Sequence, residues 1–84
     1  MILAHLETLR KIIRHFGPER QRLKAAEECA ELTLAILHGN HNEMVEECAD
    51  VLIMANQMRL ILGPDLVDEW VKAKLERTQE RMHG

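Results

Sequence analysis

The chain has no tyrosine, one phenylalanine (Phe16) and one tryptophan (Trp70), although 46% of its residues are hydrophobic. Any core it builds is therefore aliphatic, which suits packed helices. Proline is scarce too: Pro18 and Pro64 each follow a glycine, and between them only the polar stretch His38-Gly39-Asn40-His41-Asn42 interrupts helix-forming sequence. The two cysteines, Cys29 and Cys48, lack Cys-x-x-Cys spacing, so they make no zinc site, and they are expected as small buried hydrophobes rather than a disulfide. No long apolar run is present. The most apolar segment, Val51 to Leu62, is broken by Asn56, Gln57 and Arg59 and is far shorter than the roughly 20 residues of a membrane span. No basic segment followed by an apolar one opens the sequence, which predicts a soluble cytoplasmic protein with no membrane partner. Nor is there an excess of positive charge. With 14 acidic and 11 basic residues the formal net charge is -3, so no overall field draws nucleic acid, and none is expected as a partner.

What remains is one domain, residues 1 to 84, of the all-α class. Ile2, Leu6, Leu9, Ile13 and Phe16 recur at four, three, four and three, the seam of an amphipathic helix over residues 2 to 16. Gly17 stops it, and Pro18 fits the first position of a second helix running to about Leu37. That helix has two apolar stripes, Leu23, Ala26, Ala30, Leu34 and Leu37 beside Ala25, Cys29, Leu32 and Ile36, which predicts a central place in a bundle. After a turn in which Gly39 ends one helix and Asn40 or Asn42 caps the next, a third helix spans about Glu43 to Leu62. So short a connection predicts an antiparallel central pair. Gly63-Pro64 repeats the earlier punctuation and opens a fourth helix with Val67, Trp70 and Val71 on its apolar side, continued by Lys74, Arg77 and Arg81. Trp70 is expected in the core. A chain this short buries only about 60–65% of its unfolded surface, so the four-helix bundle is expected to be completed by oligomerisation.

Within this frame one phrase occurs twice: Glu27-Glu28-Cys29-Ala30-Glu31 on the second helix and Glu46-Glu47-Cys48-Ala49-Asp50 on the third. A single Glu-x-x-Glu on a helix is ordinarily a solvated face. Here, at 100° per residue, Glu47 and Asp50 share a side with Val51, Met54, Met58 and Ile61, while Glu28 and Glu31 share one with Leu32 and Ala35. Carboxylates drawn into a common interior site repel and resist desolvation, so they protonate or take a compensating cation. With oxygen ligands alone, the matching cation is hard: magnesium, with manganese as a substitute.

Glu28-x-x-Glu31 and Glu47-x-x-Asp50, followed by Leu32 and by Val51-Leu52, resemble the metal motifs of the MazG-like all-α nucleoside triphosphate pyrophosphohydrolases, in particular the compact phage and prophage members. The resemblance runs from about Phe16 to Met82. It implies that Glu28, Glu31, Glu47 and Asp50 are the metal ligands and catalytic carboxylates. It also implies that Lys74 and Arg77, in Ala73-Lys74-Leu75-Glu76-Arg77, bind the substrate's phosphates; Lys72 stands where many members have Asn. The implied reaction is magnesium-dependent hydrolysis of a nucleoside or deoxynucleoside triphosphate to the monophosphate and pyrophosphate, in a homo-dimer or homo-tetramer. Glu27 or Glu46 would orient the attacking water. The phosphoribosyl-ATP pyrophosphohydrolases share the fold and metal pattern, but their lysine-rich entry to the first motif is poorly matched by Arg20-Gln21-Arg22-Leu23-Lys24. Outside this enzyme class, a di-iron bundle is disfavoured because no His follows a Glu at Glu-x-x-His spacing. A non-enzymatic oligomerisation module with a cation site remains an alternative.

Overall fold

In the computed structural model, which describes residues 5–84, the chain forms four α-helices and, among the described residues, no strand. They are α1 (Leu6–Phe16), α2 (Pro18–His38), α3 (His41–Leu62) and α4 (Pro64–His83). Ile2, the first member of the α1 seam, lies outside the described residues. The punctuation works as local chemistry requires. Pro18 and Pro64 take first-turn positions, where a missing N–H costs nothing. Gly39 adopts the left-handed conformation (φ 73°, ψ 17°), and its N–H donates to the Ala35 carbonyl, closing α2. Asn40 then caps α3: its side-chain oxygen accepts the Glu43 N–H at 3.0 Å. Because that cap encloses His41 and Asn42 in the first turn, α3 begins two residues before the expected Glu43.

The main packing is α2 against α3. Gln21 meets Gln57 near one end, Glu28 meets Glu47 and Asp50 in the middle, and His38 meets Glu43 beside the turn. α1 lies on the later half of α3, with Leu9 and Ile12 near Ile53, and Ile13 near Leu60 and Ile61. Among the described residues few are buried: Leu9, Ala25, Ala35 and Met54, with the amides Gln21 and Gln57. α4 is tied to α3 by Arg59, which donates two hydrogen bonds to the Asp68 carboxylate at 2.7 and 2.6 Å. It buries none of its own residues.

The packed side of α2 corrects the expectation that both of its stripes are central. Its seam is Gln21, Ala25, Glu28, Leu32 and Ala35, spaced four, three, four and three; Leu23, Leu34 and Leu37 face outward. Buried alanines at 25 and 35 leave room for α3 to approach, and half-buried Leu32 fills the seam between Glu28 and Ala35. Two further expectations fail in the same way. Trp70 is 61% exposed rather than core. Cys29 and Cys48 are free thiols on the surface, since each follows its motif glutamate by one residue and is turned 100° away from the seam. The radius of gyration, 14.8 Å, exceeds the roughly 12 Å of a compact domain of this length.

Candidate metal centre

The α2 and α3 seams each carry acidic residues at mid-length, so packing the helices together brings carboxylates face to face. Glu28 on α2 and Glu47 and Asp50 on α3 each offer an oxygen within 4.8 Å of the others, and all three are half-buried. Glu47 Oε2 is fully enclosed and has no hydrogen-bond donor. Burial, followed by the charges of Asp50, Glu28, Glu31 and Glu46, pushes the Glu47 carboxyl above the ordinary range.

One cation already stands at the edge of the group. Lys24 Nζ is 3.2 Å from Glu28 Oε1, one helical turn earlier on α2. Its hydrogen bond to Glu28 and the charges of Glu27, Glu28 and Asp50 raise its pKa, against a smaller opposing effect of desolvation. Lys24 was not among the expected site residues, although its i,i+4 spacing to Glu28 is a visible signal. A single ammonium against three carboxylates leaves net negative charge, and it leaves Glu47 Oε2 unserved. The all-oxygen donor set and that orphaned atom fit a hard divalent cation.

Glu31 stands apart from the converging three. It is exposed, and with Leu34, Ala35, His38, Glu43 and Glu47 it lines an adjoining pocket of about 180 Å³ that extends toward the α2–α3 turn. His38, expected only as a turn residue, is in that wall with Nδ1 3.8 Å from Glu43 Oε2. Lys74 and Arg77 are exposed on α4, and neither lines this pocket, whose walls come from α2 and α3. Lys74 Nζ instead sits over the Trp70 ring, 5.8 Å from its centroid, beside an apolar groove formed with Leu62, Leu66, Val67 and Val71. Among the described residues no helix is long and apolar enough to cross a membrane.

Comparison with protein-family models, with curated proteins and with solved structures finds no match to this chain.

Proposed function

We propose that the chain is a magnesium-dependent nucleoside triphosphate pyrophosphohydrolase of the MazG-like all-α kind. The observation that carries this reading is the convergence of Glu28, Glu47 and Asp50, with one carboxylate oxygen enclosed and unpartnered. These three would hold the ion, with Glu31 joining from the pocket margin. When bound, magnesium supplies charge neutralisation for the triphosphate and a coordinated water of lowered pKa. In the proposed reaction a water oxygen adds to the α-phosphorus, the bond from that phosphorus to the α,β-bridging oxygen breaks, and pyrophosphate departs. The chain's own residues prepare this step. Lys24 steadies Glu28, and Glu27 or Glu46, the exposed carboxylate beside each motif glutamate, would orient the water and take its proton.

The antiparallel course of α2 and α3 that places both motifs across one cleft is supported by the descending order of the contacts Gln21 to Gln57, Glu28 to Asp50 and His38 to Glu43. A homo-dimer or homo-tetramer is supported by unclosed surface. The accessible area, 6635 Å², compares with about 5100 Å² for a compact monomer of 9.7 kDa. Exposed apolar side chains include Leu23, Leu34 and Leu37 of α2 and Leu66, Trp70, Val71 and Leu75 of α4. In such an assembly Lys74 and Arg77 of a second copy would supply the phosphate contacts that α4 does not make within one chain.

The test is to incubate the protein with ribo- and deoxynucleoside triphosphates, with and without magnesium, and to identify the products. Metal-dependent release of monophosphate and pyrophosphate, lost in Glu47→Ala with helix content retained, is the expected result. Phosphate release in place of pyrophosphate, or undiminished turnover in Glu47→Ala, would refute the reading.

A further inference from the structure

The two buried polar residues among those described, Gln21 and Gln57, take no part in the chemistry described above. Gln57 is 1% exposed and Gln21 is 6% exposed. Gln21 Nε2 donates to Gln57 Oε1 at 2.8 Å, and Gln57 Nε2 approaches Met54 Sδ at 3.6 Å. Their buried neighbours along the seam are Ala25 on α2 and Met54 on α3. We propose that this amide pair is a register clasp: Gln21 and Gln57 are positioning residues that hold α2 and α3 in the one alignment at which Glu28 faces Glu47 and Asp50. The consequence for metal binding rests on the proposed metal centre; the clasp itself does not.

The argument is one of spacing. Gln21 precedes Glu28 by seven residues and Gln57 follows Asp50 by seven, so each amide lies two turns from its carboxylate on the same face, to within about 20°. Pairing 21 with 57 therefore pairs 28 with 50. Ala25, Leu32, Ala35, Val51 and Met54 make non-directional contacts, so the Gly39–Asn40 turn fixes the register at one end of the helix pair and apolar packing offers nothing specific at the other. The amides do choose. A slip of four residues sets Gln57 against Ala25 and Gln21 against Ile61, which offer no side-chain donor or acceptor. Buried amides left unpartnered disfavour that state, much as a single buried polar pair sets register in a coiled coil. The same slip of four residues would carry Asp50 past Glu28 by about 6 Å, enough to dismantle the oxygen cluster. An amide suits the task better than a carboxylate, because donor and acceptor match with no charge to compensate.

The test separates register from stability. Cys29 and Cys48 are exposed and flank the site, so nitroxides on them report the α2–α3 alignment by pulsed electron paramagnetic resonance, with labelled protein diluted into unlabelled chain. In Gln21→Leu/Gln57→Leu the two amides vanish together. Helix content and melting temperature should be kept or raised, while the distance distribution broadens or moves and Mn2+ affinity of the unlabelled protein falls about 10- to 100-fold, the range for losing a ligand's supporting partner. Gln21→Leu alone, which strands Gln57, should melt lower than the double variant. A narrow distance at the parent value in the double variant overturns the clasp, whatever happens to Mn2+. If the parent itself fails to bind Mn2+, the metal reading falls and the distance measurement still decides the clasp. Should the leucine pair lose its helicity, Gln21→Met/Gln57→Met, unbranched like glutamine, takes its place. Loss of the fold in both overturns the proposal, because the pair would then be needed for the fold itself rather than for its alignment.

Discussion

Glu47→Gln removes one negative charge from the place least able to hold it. Glu47 Oε2 is enclosed without a donor, and burial together with Asp50, Glu28, Glu31 and Glu46 raises its carboxyl. An acid whose folded pKa is raised binds more protons folded than unfolded between the two values. The metal-free parent therefore loses stability as pH rises from the unfolded value of 4.5 through the folded one. Glutamine does not titrate, so the variant lacks this fall and, without metal at pH 7, melts at or above the parent temperature. Mn2+ should reverse the order. A ligand held only by the folded chain stabilises it by about 2.7 kcal/mol at one hundred times its dissociation constant. In a domain this size each kcal/mol moves the melting temperature by about 4–8 °C, so the parent should gain roughly 11–22 °C. Losing a direct ligand weakens binding by at least the 10- to 100-fold typical of losing a supporting partner. At a hundredfold loss the same Mn2+ concentration is worth about 0.4 kcal/mol to the variant, roughly 2–3 °C. Circular-dichroism melts across a Mn2+ titration measure both arms. Equal Mn2+ shifts in parent and variant would refute the metal centre, and a metal-free variant that melts well below the parent at pH 7 would refute the account of Glu47 as a strained charge.

Two further substitutions test how the elements around the site are held. Asn40→Ala removes the α3 cap next to the site and should cost about 0.5–2 kcal/mol in urea unfolding, against a few tenths for Asn40→Gly; equal losses would show that the Asn40 side chain does not cap. The Arg59 guanidinium holds the Asp68 carboxyl below the usual range. Its stabilising effect is therefore present above the unfolded value of 3.8 and is lost as pH falls through the folded one. Asp68→Asn should melt below the parent at neutral pH, with the gap closing in acid, and a gap that persists at low pH would rule out this ion pair as its cause.

The sequence by itself determined the helices and the glycine and proline boundaries between them, because these are local, while the structure decided for Asn40 over Asn42 as the cap and so moved the start of α3 to His41. Gly-Pro at 17–18 and 63–64, Gly39 at a left-handed stop and Asn40 as a cap act within one turn of the residues they govern. It also determined that Glu28 lies on a face of α2 with Leu32, and Asp50 on a face of α3 with Met54, since periodicity fixes which residues share a side. Periodicity cannot rank two apolar stripes on one helix. Leu23, Leu34 and Leu37 are the more hydrophobic set, yet α3 packs against Gln21, Ala25, Glu28, Leu32 and Ala35, where small side chains admit a close approach and Gln57 meets its partner. That choice of face, made between elements rather than within one, turned Cys29 and Cys48 outward and left Glu31 at the pocket margin. It also enclosed Glu47 Oε2 among the other carboxylates. Enclosure depends on what a second helix covers, and only the tertiary structure supplies that second helix.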